Sequence, residues 1–128
     1  MTIARVNNEV VEVPGNSLVG AKLGGLNLHR AMLVEQDMHD ASCVRTDLRG
    51  AFMYKANLSN ALLDHASLIT ADARCVNLSG ASLRQAQAHG CHFDGADLTR
   101  ADLDGVDVAA ASFEKAKLLG AKLLCLRI

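Results

Sequence analysis

Ala96-Asp97-Leu98-Thr99-Arg100-Ala101-Asp102-Leu103 states the pattern of the whole chain: a small residue, a short polar one, a large apolar one, two of freer choice, and then the small residue again. Read outward from there, the unit runs from Ala21 to Ala121 as 21 pentads, of which 15 begin with Ala; the exceptions are Leu26, Gln36, Thr46, Val76, Cys91 and Val106. Leu fills 13 third positions and Asp, Asn or Ser fills 13 second positions, so the pattern is a tandem repeat and must be read before anything else. An α-helix returns its apolar positions near every 3.6 residues and a flat strand alternates strictly, whereas a sustained period of five keeps step with neither. The chain therefore turns once per pentad. The first and third residues share a face, as neighbours two apart do on an extended strand, and the second points the other way. An Asp or Asn there bonds its own nearby backbone and favours a turn, and the fifth position, Gly at residues such as Gly25, Gly50 and Gly80, tolerates a tight corner. Turning repeatedly with one hand winds an all-β solenoid whose successive coils pair as parallel strands and stabilise one another.

The copies Ala56-Asn57-Leu58, Ala96-Asp97-Leu98 and Ala101-Asp102-Leu103 resemble the pentapeptide-repeat family, whose pattern is A(D/N)LXX, and the likeness covers everything after about residue 15. That resemblance implies a right-handed quadrilateral parallel β-helix with four pentads per coil, and between five and six coils over residues 16–128. The periodicity alone leaves four and three pentads per coil open. Folding the numbering at 20 makes one column wholly Ala (Ala21, Ala41, Ala61, Ala81, Ala101, Ala121), but folding at 15 gathers Thr46, Val76, Cys91 and Val106 equally well. With four, the column is roughly 27 Å long at about 4.8 Å per stacked strand.

Residues 1–15 lie outside the repeat and read as an N-terminal capping segment. Ile3 to Val6 and Glu9 to Val13 are β-rich runs around Asn7-Asn8, a pair suited to a hairpin turn, and Pro14-Gly15 punctuates the entry to the coils. A cap is expected because the first coil of a solenoid otherwise exposes apolar side chains and strand edges.

Composition narrows the function. The chain is 50% hydrophobic with 3% aromatics, as a narrow core of Leu and Ala layers requires, and its net charge of −1 implies neither nucleic acid nor an anionic membrane as a partner. No run of 18 apolar residues and no signal-peptide pattern is present, so a soluble cytoplasmic protein is the default. Cys43 and Cys91 fall on inward positions and Cys75 and Cys125 on corners, without ligand spacing. In His89-Gly90-Cys91-His92 the register sends the cysteine inward and the histidines outward, so no metal or other cofactor is expected. No nucleophile motif or phosphate loop appears, and nearly flat outer faces offer no converging polar groups, which argues against an enzyme.

Two readings remain. Some pentapeptide-repeat proteins that this chain resembles protect DNA gyrase by presenting a rod charged like duplex DNA. The outward acids here, Asp94, Asp97, Asp102, Asp104, Asp107 and Glu114, instead circle little more than one coil, and the outward bases Lys22, Arg49, Arg74, Arg84, Lys117 and Lys122 dilute their field. The preferred reading is a noncatalytic protein-protein interaction scaffold. With four pentads per coil, Met32 and Phe52 stack in one outward column and Val34 and Tyr54 in its neighbour, an apolar face of the scale that marks a protein partner. At the other end Leu126 and Ile128 fall on inward positions and Leu119 and Leu124 on outward ones. An uncapped coil of this kind predicts a homodimer.

Overall fold

The computed structural model describes residues 1–5 and 8–128. Of the Asn7-Asn8 turn expected from the sequence, Asn7 lies outside the described residues, and Asn8 has φ +61°. Strands β1 (Thr2–Ala4) and β2 (Val10–Glu12) pair antiparallel with Ile3 opposite Val11.

From Leu18 onward the chain repeats one unit whose geometry follows from where its backbone polar groups bond. Parallel bridges join Lys22 to Ser42, Asn27 to Asp47, Met32 to Phe52 and Asp37 to Asn57, each 20 residues on, and this spacing continues to Asp107 and Arg127. Twenty residues are four pentads, so each coil has four sides, the choice that periodicity left open. The second-position N–H donates to the coil before (Ser42 to the Ala21 carbonyl, 2.9 Å). The third and fifth donate to the coil after (Leu23 to Ser42, 2.8 Å; Gly25 to Val44, 3.0 Å). The first-position N–H closes a turn onto the preceding pentad (Leu26 to Leu23, 3.2 Å).

In coils with a neighbour on each side the fourth-position N–H alone has no backbone partner among the described residues, and the Asp or Asn of the repeat serves it. In nine pentads an Asp or Asn at the second position accepts that N–H, as Asn57 does from Ser59 (3.0 Å) and Asp97 from Thr99 (3.0 Å). The repeat thus uses Asx residues to satisfy a donor that stacking leaves over.

Every corner is left-handed. All 22 fifth positions from Gly20 to Cys125 have φ between +54° and +74°, and 14 of them are not glycine. A positive φ at the second central residue is the requirement of a type II turn, and an L-residue meets it at a cost of roughly 1–2 kcal/mol. Glycine therefore marks only some of the corners.

Inward positions form one continuous core. First- and third-position side chains from Leu18 to Val108 are buried apart from partly covered Ala21, Leu26 and Gln36, and Thr46 sits among them fully buried with its hydroxyl donating to the Leu23 carbonyl (2.7 Å). The two small third-position residues accommodate the large one. Ala73 stands one coil before Phe93 in its column, Ala88 precedes Phe93 in the same coil, and Phe93 stacks on Phe113 with ring centroids 5.0 Å apart. A narrow core takes an aromatic ring only where neighbours yield that volume.

The hairpin sits on the first coil. Ile3 and Val13 join the core cluster, the Met32 N–H donates to the Ala4 carbonyl (2.8 Å), Arg5 bridges Ala31 antiparallel, and Arg5 Nε donates to the His29 carbonyl (2.9 Å).

Candidate functional site

A four-sided column presents its chemistry as columns of side chains, since each outward residue lies beside the residue 20 positions away. One face carries Met32, Phe52, Asp72, His92 and Ser112 at second positions and Val34, Tyr54, Arg74, Asp94 and Glu114 at fourth positions. Its first half is apolar: Met32 is 50% and Val34 41% exposed, and Phe52 and Tyr54 are half-buried. Ala4 of the hairpin bonds the Met32 backbone yet leaves that residue half exposed, so the hairpin borders the patch without fully covering it. Tyr54 owes part of its cover to cations: the Arg74 guanidinium lies 5.2 Å and the Lys55 ammonium 5.4 Å from its ring centre. Arg74 is held there by Asp72, to which it donates two bonds of 2.8 Å, and the same bonds hold the Asp72 carboxyl below its usual range.

The six acids in the encircling belt are mostly engaged with their own backbone. Asp97, Asp102 and Asp107 accept the N–H groups of Thr99, Asp104 and Ala109. Asp94 accepts the Ser112 hydroxyl (2.8 Å) and the Glu114 N–H (2.8 Å), and these bonds, the hydroxyl first, hold its carboxyl low. Bonding from Thr99 does the same for Asp97. Asp104 accepts the Leu124 N–H (2.8 Å). Of the six only Glu114 is exposed, and it has no such bond among the described residues. Asp64, Asp94 and Asp104 do something the sequence reading missed. They stand at fourth positions and reach one coil ahead, where the second residue is Ser82, Ser112 or Lys122 rather than Asp or Asn. The signal lay 20 residues away, beyond any local motif.

The last coil differs from the others. Leu118 and Leu123, at third positions, are 38% and 45% exposed, and the outward Leu119 and Leu124 are 81% and 71% exposed. Leu126 is partly buried and Ile128 is exposed. Leu103, Phe113, Leu118, Leu123 and Leu126 line an apolar hollow of about 180 Å³ there. Elsewhere Cys91 is buried while His89 and His92 face outward, and no cluster of metal-ligating side chains converges among the described residues. Burial pushes the Cys43 thiol up to about 12.

A column of left-handed corners, Asx-served turns and Ala-Leu layers defines a pentapeptide-repeat protein, and the chain belongs to that family: its sequence matches the family of pentapeptide repeats over residues 17–54, 53–87 and 91–123. Among solved structures it is similar to Rfr23, a pentapeptide repeat protein of the cyanobacterium Cyanothece 51142, with a TM-score of 0.71 and 22% identity over 81% of this chain and 88% of that one. It is similar as well to a trypsin-treated form of QnrB1, a plasmid-mediated fluoroquinolone resistance protein, with a TM-score of 0.58 and 20% identity over 83% of this chain and 66% of that one. At these identities the likeness is one of fold. No curated protein sequence matches the chain.

Proposed function

We propose that this chain is a noncatalytic scaffold, a right-handed β-helix of between five and six coils over residues 16–128 with residues 1–15 as its cap, that holds a protein partner on the face bearing Met32, Val34, Phe52 and Tyr54. The observation that carries the reading is that Met32 and Val34 remain exposed although the cap is seated directly beside them. Two exposed apolar residues next to two half-buried aromatic ones form a contiguous patch, and such patches on soluble proteins mark binding surfaces. Aromatic residues and Met are also the types that interfaces enrich.

Replacing Met32 and Phe52 together by Ser tests this. The intact protein, immobilised and exposed to extract of its native cell, is expected to retain a partner that the double variant loses, while melting temperature changes little. Equal retention by both would sink the reading. The competing reading, a DNA-mimicking rod that binds gyrase, is opposed by acids that serve backbone donors and by Arg49 and Arg74 paired with Asp47 and Asp72. Its test is gyrase supercoiling, expected to be unaffected at low micromolar protein.

For the last coil the proposed occupant is a second copy of the chain. The N–H groups of Phe113, Lys115, Leu118, Gly120, Leu123 and Cys125, whose counterparts in other coils bond the coil after, donate to no backbone group among the described residues. Pairing them while burying Leu118 and Leu123 satisfies both needs. Light scattering at tens of micromolar is expected to give a dimer mass, and a monomer for the Leu124→Asp, Leu126→Asp double variant; a monomeric intact protein refutes it.

A further inference from the structure

The apolar face does not end at Tyr54. Directly beyond it lies a depression of about 380 Å³ lined by Tyr54, Arg74, Cys75, Asp94, Gly95, Glu114 and Lys115. Its floor is open because Gly95 carries no side chain; a Cβ there would sit 3.1 Å from Cys75 Sγ. The hollow therefore runs along the rod axis, between the fourth-position column and the corner column, from an aromatic wall to a charged end.

The charges along it are not equivalent. Arg74 is spent on Asp72 and on the Tyr54 ring, and both Asp94 oxygens accept bonds from the next coil. What is left for a ligand is Glu114, exposed, stacked one coil beyond Asp94, and in no ion pair among the described residues. At that end the hollow is lined by two carboxylates, Asp94 and Glu114, against the one ammonium of Lys115. The Phe52 side is thus apolar and the far end negative, three coils on, or roughly 14 Å at about 4.8 Å per coil. An extended peptide covers that distance in about four residues at roughly 3.3 Å each.

We propose that the partner bound on this face presents an extended segment that lays an apolar side chain against Met32 and Phe52 and, about four residues away, a lysine or arginine against Glu114. This rests on the apolar-face reading and adds the chemistry and direction of the occupant. Charge at such an edge selects among partners more than it adds affinity, so the sign of the effect is the informative quantity.

A display library of random 12-residue peptides, selected on the full-length protein, supplies the probe. The enriched peptides are expected to combine an aromatic or aliphatic residue with Lys or Arg at about that separation. Binding of such a peptide should weaken about 2- to 5-fold for Glu114→Gln, the size of one exposed ion pair. It should weaken further for Glu114→Lys and tighten for Lys115→Gln. Both positions carry exposed side chains, and circular dichroism of each of the three variants checks that the fold is kept. Loss of binding in Met32→Ser, Phe52→Ser without response to Glu114→Gln overturns this inference and leaves the apolar-face reading standing. No response to either set overturns both, as does a failure to enrich any peptide. Enriched peptides carrying acidic residues, with the order of the two charge variants reversed, refute the assigned sign.

Discussion

The two ends of the column are built from the same pentads and end in opposite states. At the first coil Leu18, Leu23, Leu28 and Leu33 are at most 2% exposed, whereas at the last coil the equivalent leucines, Leu118 and Leu123, are 38% and 45% exposed. Nothing in the leucines differs. The first coil has Ile3 and Val13 of the hairpin above it and the last has no layer above it among the described residues. In a stack where each layer is buried by its neighbours, a side chain's energetic weight is set by the layer that covers it, so identical residues carry different stability at the two ends.

The largest effect that tests this comparison is a mirrored truncation. Leu28→Ala is expected to cost about 2–5 kcal/mol and Leu123→Ala under about 1 kcal/mol, read as unfolding midpoints in urea under monomeric conditions. Equal costs would mean that the last coil is covered after all. Next comes volume in the middle of the stack: Ala73→Leu, one coil from Phe93, is expected to destabilise by about 1–3 kcal/mol through overpacking. The same change at Ala121 in the last coil should cost clearly less, since its neighbours can move aside.

A smaller effect concerns the ties between coils. Asp104→Ala removes the side-chain bond to the Leu124 N–H, and hydrogen exchange should show residues 120–128 opening more readily at a cost of about 1 kcal/mol, with the hairpin end unchanged. Acid weakens the Asp bonds within pentads and between coils together. Asp47, Asp72, Asp94 and Asp97 have folded-state values held below the ordinary 3.8, so the unfolded chain takes up protons first as pH falls. Their contribution is complete above about pH 5 and is lost as pH falls below 3.8 through the lower folded values. A melting temperature that stays flat from pH 6 to pH 2 would deny them that role. The smallest effect is a gain. Thr70 holds φ +57° with a β-branched side chain, and Thr70→Gly should stabilise by up to about 1 kcal/mol, the relief of the corner less the entropy glycine loses on folding.

The sequence made the period, the inward pair and the apolar columns legible because each is a local rule repeated many times. The number of sides was not, since the fact that settles it, Lys22 beside Ser42, connects residues a full coil apart. The corners were half legible. Gly25 and Gly50 advertise them, but Arg30, His65 and Thr70 adopt the same φ without any signature of it, because stacking holds them there. The same blindness hid the work of Asp64 and Asp94, whose partners Arg84 and Glu114 lie 20 residues on. On the apolar face the pairing of Met32 with Phe52 followed from register, while the partial cover of Tyr54 by Arg74 required knowing that Arg74 leans back toward it.

The 20-residue ladder spacing also governs how a chain of this kind can change length. Insertion of one whole coil slides everything beyond it along the axis and leaves each column composed as before. Insertion of a single pentad obeys the local pattern equally well yet rotates everything downstream by a quarter turn. Placed between Phe93 and Phe113, it would carry Phe113 and Glu114 to a neighbouring side, off the columns of Phe93 and Tyr54, whereas a whole coil placed there keeps them in those columns one layer further on. Melting temperatures of a 20-residue and a five-residue insertion after Gly105 would measure the difference directly. Local grammar thus tolerates growth by fives, while packing and recognition tolerate it only by twenties.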